Sequence, residues 1–136
     1  MSKAPFTVEL AGEALRVELF GLLDEAGAVG LEKALQAALA DVKPRSLSAL
    51  VIMEGLSDCA EAARAVLVRV QRQLGQAARR TAWVDNRSRF RGMALWVMHL
   101  AEDQNAKAVA TVELADRWLA SSELREADAM RRTMGA

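Results

Sequence analysis

The 136-residue chain has one cysteine, one histidine and no net charge. Each scarcity excludes something. With Cys59 alone, no disulfide can form within the chain, which fits a reducing compartment. With His99 as the sole histidine, no His/Cys metal cluster can assemble inside one copy. Eighteen Lys and Arg balance eighteen Asp and Glu, so no global field draws in nucleic acid or acidic lipid. No run approaches the ~18 apolar residues of a membrane-spanning helix, and MSKAPFTVEL at the start has no signal-peptide core. Internal repeats, low-complexity segments and a glycine-rich phosphate loop are absent as well. The expectation is a cytoplasmic protein with no integral membrane part and no nucleic-acid partner.

What is present is a globular composition. Hydrophobic residues make up 52% and charged residues 26%, in a length that suits one domain. Phe6 to Leu10 and Ala14 to Leu19 read as two strands joined at Ala11-Gly12-Glu13, a hairpin. In the second, Leu15, Val17 and Leu19 alternate with Arg16, Glu18 and Phe20, so one face is apolar. Gly21-Leu22-Leu23-Asp24 is the turn into a helix that Asp24 caps, its carboxylate accepting free amides of the first turn. Leu31, Leu35, Ala38 and Leu39 form that helix's stripe, and Lys43-Pro44-Arg45 ends it.

Ser48 to Met53 is a continuous apolar run, the mark of a central strand covered on both faces. Glu54 to Asp58 reads as a loop. Ala63, Val66, Leu67, Val70 and Leu74 line a second helix, which Gly75 loosens or ends. Thr81 to Val84 is the next strand, and Asp85-Asn86 turns into a helix near Arg87. Phe90, Met93, Ala94, Val97 and Leu100 line its inner face, leaving Leu95, Trp96 and Met98 off the stripe. Ala106 to Val112 is a last strand, Glu113 to Leu119 a closing helix. The order ββαβαβαβα implies an α/β fold: a mixed, mostly parallel sheet of about five strands flanked by helices.

Groups with chemical potential are few. Cys59 lies just inside a helix N-terminus, which can lower a thiol pKa, but a small, partly buried structural cysteine is the stronger reading. A Cys-His pair needs Cys59 and His99 to meet, with a third group to orient the imidazole. His99 reads as a surface residue. Paired acids such as Asp24-Glu25 and Glu102-Asp103 sit at helix ends, where solvation and dipoles account for them. No catalytic residue, metal site or cofactor is expected. Arg79 and Arg80 precede the fourth strand, Arg87, Arg89 and Arg91 follow it, and Arg64, Arg69 and Arg72 lie on the second helix. They form a solvated face, or a local basic patch for an anion or acidic partner. Leu95, Trp96 and Met98 indicate a deeply buried helix, a self-association face, or the wall of an apolar cavity.

The run LRVELFGLLDEAGAVGLEKALQAAL, Leu15 to Leu39, resembles the opening of STAS domains, where a strand runs through Gly-x-Leu-Asp into a helix. Thr81-Ala82-Trp83-Val84-Asp85-Asn86 and Ala115-Asp116-Arg117-Trp118-Leu119 resemble the penultimate strand and closing Ala-x-x-Trp-Leu of the SpoIIAA-like, STAS/SEC14-type branch. The resemblance spans about residues 6 to 119. It implies a STAS/SpoIIAA-like domain over residues 1–120, followed by a polar tail, 121–136, that is helical or disordered. It also implies a non-enzymatic interaction module of bacterial regulation, docking a protein partner or its own copy, or alternatively a SEC14-like carrier of a small apolar ligand or lipid. The carrier expectation is a cavity lined by Met53, Trp83, Met93 and Val97, with Arg89 or Arg91 at its mouth.

Phosphorylated STAS antagonists carry Asp-Ser-Ser/Thr-Gly where the central strand meets the second helix. Here the segment reads Gly55-Leu56-Ser57-Asp58-Cys59-Ala60. Ser57 is its only hydroxyl, Asp58 follows rather than precedes it, and the glycine is missing. A helix N-terminus favours phosphate at Ser57, while Asp58 opposes it. As a plain structural residue, Ser57 caps the helix.

Overall fold

The computed structural model describes residues 4–121 of the chain. Phe6–Ala11 (β1) and Ala14–Leu23 (β2) form an antiparallel hairpin that closes at Gly12, whose φ of 61° is the left-handed conformation such a tight turn requires. Glu25–Ala38 (α1), Leu47–Cys59 (β3), Glu61–Ala77 (α2), Ala78–Val84 (β4), Ser88–Leu100 (α3) and Ala106–Val109 (β5) follow. The last described element is α4, residues 112–121. The sheet order is β1-β2-β3-β4-β5, and every pair after the hairpin is parallel. The mixed, mostly parallel α/β architecture expected from the sequence is therefore present. The expectation for the tail falls on residues that, Ser121 apart, lie outside the described ones.

Alternation in the strands divides the interior in two. Leu15, Val17 and Leu19 of β2, Ala49, Val51 and Met53 of β3, and Trp83 of β4 pack with α1, α2 and α3 in one large core. Ala82 and Val84 point to the opposite face, where Val109 joins them and Ala115, Trp118 and Leu119 of α4 cover them. Asp24 caps α1 as expected: its Oδ1 accepts from the Gly27 amide at 2.7 Å, a contact worth about 1 kcal/mol. Trp118 donates its indole N–H to the Thr81 carbonyl at 3.2 Å, with the Arg80 guanidinium 3.7 Å above its ring.

Several boundaries differ from the sequence reading, each for a nonlocal reason. Glu54 to Asp58 is not a loop but the continuation of β3, paired with β2 from Phe20 to Leu23. That pairing carries β2 past its expected turn, through register shifts at Glu18/Phe20 and Gly21/Leu22 and a φ of 60° at Gly21. Gly55 lies under Phe20, where an added Cβ would come within 2.7 Å of the ring and 2.8 Å of the Leu19 carbonyl. Gly75 does not end α2; it sits inside the helix, where a Cβ would lie 2.7 Å from Asp103 Oδ2. Arg79 and Arg80 belong to β4 rather than preceding it. β5 stops at Val109, and α4 already runs at residue 112. On α3, Met98 is buried and Leu100 exposed, the reverse of expectation, because the helix packs against β5 as well as α2.

Fully buried Gln71 sits in the middle of the α2 stripe. Its Oε1 accepts from the Trp83 indole at 2.6 Å, and its Nε2 donates to Asp103 Oδ2 at 2.7 Å. This chain of bonds satisfies a buried amide and a buried indole together, and fixes the loop after α3 to α2.

Candidate functional site

Of the expected site residues, Ser57, Asp58, Arg87, Arg89 and Arg91 gather where β3 ends and α2 and α3 begin. Ser57 and Asp58 are exposed, while Leu56 and Cys59 on either side are buried. Strand alternation is broken here: the pairing passes from Gly21–Leu56 to Leu22–Asp58, and the bulge at Ser57 leaves two adjacent polar residues exposed. Asp58 Oδ1 accepts the Cys59 amide at 2.8 Å. Ser57 is not the helix cap. That position is Ala60, which makes no side-chain capping bond.

The three arginines at the start of α3, with Arg87 at its N-cap, are held in different ways. Arg87 is a clamp: its Nε and Nη2 bind Asp85 Oδ1 and Oδ2 at 2.9 and 2.7 Å. Its Nη1 donates to the Leu56 carbonyl at 2.7 Å, and Nη2 reaches the Met53 and Glu54 carbonyls at 3.1 and 3.4 Å. One guanidinium thereby ties the β3 extension to the turn after β4. Asp85 is 0% exposed, and burial alone would raise its pKa. The hydrogen bonds from the Arg87 side chain and backbone, with the charges of Arg87 and Arg91, outweigh that and hold the carboxyl below its ordinary range. Arg91 donates from Nη1 to the Asp85 carbonyl at 3.0 Å. Arg89 donates from Nη2 to the Ser57 carbonyl at 3.1 Å and lies 4.6 Å from the Phe90 ring centroid.

Arg89 also borders a groove of about 570 Å³ between the helices, lined by Glu61, Arg64 and Ala65 of α2 and by Gly92, Met93 and Trp96 of α3. Beyond it the outer face of α3 carries Leu95 and Trp96, 56% and 45% exposed. Met98, grouped with them by sequence, is 4% exposed and belongs to the core. The candidate site is thus a continuous surface, from Ser57 and Asp58 through Arg89 and the groove to Trp96 and Leu95. The groove itself escaped the sequence reading. Its signal was the small residues Ala65 and Gly92 on facing helices, flanked by Arg64 and Arg89.

Other candidates do not come together. Desolvation pushes the buried Cys59 thiol up; the Arg64 charge opposes this without reversing it. His99 is exposed at the far end of α3, ten residues beyond Arg89, which is about 15 Å of helix. Cys59 and His99 therefore form no pair. Among the described residues no group of three His, Cys, Asp or Glu could hold a metal ion, and no helix is long and apolar enough to cross a membrane. The wider basic patch is largely engaged locally: Arg69 pairs with Glu32 at 2.8 Å, Arg79 with Glu13 at 3.7 Å, and Arg72 donates to the Leu100 carbonyl. Of the residues expected to line a cavity, Met53, Trp83 and Val97 are fully buried in packed core, and Met93 alone reaches the groove.

No protein-family model matches the chain, and no curated protein matches it by sequence. Solved structures do match. An uncharacterised protein of SpoIIAA-like fold from Shewanella loihica aligns with a TM-score of 0.63 at 17% identity, over 84% of this chain and 91% of that one. The anti-sigma-factor antagonist SpoIIAA in its unphosphorylated form gives 0.57 at 20% identity, over 82% and 96%. An anti-sigma-factor antagonist from Mycobacterium paratuberculosis gives 0.58 at 19%, over 87% and 97%. At these identities the likeness is one of fold. The chain has the SpoIIAA-like, STAS-type fold that its strand order and its Gly21-Leu22-Leu23-Asp24 segment suggested.

Proposed function

We propose that this protein is a non-enzymatic protein-interaction module of bacterial regulation, working in the cytoplasm. It docks through the outer face of α3 and the adjoining Ser57–Asp58 end of β3. The observation that carries this reading is the pair Leu95 and Trp96, exposed on a helix whose core stripe is already complete without them. A half-exposed tryptophan beside a groove with charged margins, Glu61, Arg64 and Arg89, has the composition of a docking hot spot with a polar rim. The shared fold with two anti-sigma-factor antagonists supports the reading. The Leu95→Ser, Trp96→Ser double variant tests it. It should keep the wild-type melting temperature and lose the cellular partner captured by the wild type. Capture at full strength by the variant would reject this face.

A second reading concerns control of the same surface. The Ser57 side chain is exposed, and Arg89 already reaches its carbonyl. A phosphate there would draw Arg89 from the backbone and change the charge at the groove's margin, against the repulsion of Asp58. A Ser57→Asp variant should then bind the partner at least several-fold more weakly than Ser57→Ala. Equal binding by the two removes the switch and leaves the docking face intact.

A further inference from the structure

We propose that the first occupant of the α3 face is a second copy of this chain, packed antiparallel on α3 across a two-fold axis. This rests on the reading of that face as a docking surface and adds its partner and register. Gly92, Leu95, Trp96 and His99 recur at helical spacing on the exposed side of α3, a narrow ridge with the apolar pair Leu95 and Trp96 at its centre. An antiparallel two-fold centred between Leu95 and Trp96 sets Leu95 of each copy against Trp96 of the other. The same register sets His99 over Gly92, where no atom lies within 4 Å of a would-be Cβ. The ring of one copy can therefore rest on bare backbone of the other.

Charge complementarity argues for this register. One turn beyond the ridge at either end stand Arg89 and Glu102, both exposed. The antiparallel register brings Arg89 of each copy to Glu102 of the other, giving two symmetric pairs from one arrangement. Neither has an ion-pair partner among the described residues: Arg89 binds the Ser57 carbonyl and flanks Phe90. Glu102 stands just past the end of α3 with a φ of 56°, in a turn held by its own amide on the His99 carbonyl at 3.1 Å. The first turn of α3 contains no acidic residue. A carboxylate from the other copy would supply what the helix dipole favours there. In a parallel arrangement the like charges would meet instead.

Sedimentation equilibrium on the full chain, from micromolar to near-millimolar concentration, tests this. The wild type should show a monomer–dimer equilibrium. Arg89→Glu and Glu102→Arg should each weaken the dimer about tenfold or more, because each puts like charges together twice. The equimolar mixture of the two variants, and the double variant alone, should recover the wild-type constant to within about threefold, since both restore opposite charges. Melting curves confirm folding; if Arg89→Glu is unfolded through loss of its Ser57 contact, Glu102→Arg in its exposed turn carries the test. A wild type that stays monomeric, or single variants that dimerise as well as it, overturns the proposal. So does failure of both the mixture and the double variant to recover. A monomeric wild type whose partner capture still depends on Leu95 and Trp96 rejects the self-docking while sparing the docking face.

Discussion

Replacing Arg87 with methionine keeps most of the side-chain stem and removes a guanidinium that makes five hydrogen bonds. Two of these neutralise Asp85, whose side chain is fully buried, and three hold carbonyls of the β3 extension. In the variant Asp85 retains the Arg87-position amide, now from methionine, as a donor at 2.8 Å, and the nearby charge of Arg91, but loses the guanidinium bonded to its carboxylate. Breaking a buried ion pair from one side costs about 3–5 kcal/mol. The Arg87 side chain is 39% exposed, so water repays part of the loss, and about 2–3 kcal/mol is expected. For a chain of this size that is a fall in Tm of roughly 6–15 °C.

The pH dependence identifies the cause. The folded pKa of Asp85 lies below its unfolded value. Its stabilisation is therefore fully present above the unfolded pKa, near 4, and is lost as pH falls through the folded one. The gap between wild type and Arg87→Met should be widest at neutral pH and shrink on acidification toward pH ~3. Urea melts at both pH values measure it, and amide exchange should quicken first in residues 54–58. Equal stability at neutral pH, or a gap that widens in acid, would refute the assignment of Arg87 as the clamp.

Three further outcomes follow from the packing. Gly55→Ala forces a Cβ onto the Leu19 carbonyl and the Phe20 ring, so it should cost about 1–3 kcal/mol in a urea melt; a neutral result would mean the β2–β3 extension is soft. Gln71→Leu leaves the Trp83 indole donor unpaired in the core and frees Asp103. It should cost about 1–3 kcal/mol and shift the Trp83 fluorescence, read from chemical melts. Met98→Ala should lower stability by about 2–4 kcal/mol, whereas the exposed Leu95→Ser, Trp96→Ser pair should stay within about 0.5 kcal/mol of wild type. Similar losses in both would contradict the division of α3 into a buried and an exposed side.

Much of the fold was legible because its signals are local. The unbroken apolar run Ala49 to Met53, the α2 stripe and the Asp24 cap each fix an element within a few residues. The extension of β3 was not legible. Glu54, Gly55, Ser57 and Asp58 are poor strand formers, and only pairing with β2 across a bulge at Gly21 makes them a strand. Gly75 misled for a related reason: it looks like a helix end, but its bareness admits the Asp103 side chain. Of the candidate site, Leu95 and Trp96 stood out in the sequence by their departure from core patterning, and Ser57 and Asp58 by the resemblance of their segment to the one STAS antagonists phosphorylate. Met98 was misplaced because helical spacing alone does not show that β5 lies beside α3. Arg87 was visible as a charge, but its role as a clamp required the carbonyls of another strand.

The central claim is that the outer face of α3 is covered by protein in the cell. A photo-activatable cross-linker placed at position 96, with a control at the exposed Lys33 of α1, reports this directly in the native host. The account predicts discrete protein adducts at position 96, either a second copy or a partner, and none at position 33. An unmodified monomer at position 96, or equal adducts at both positions, would contradict it.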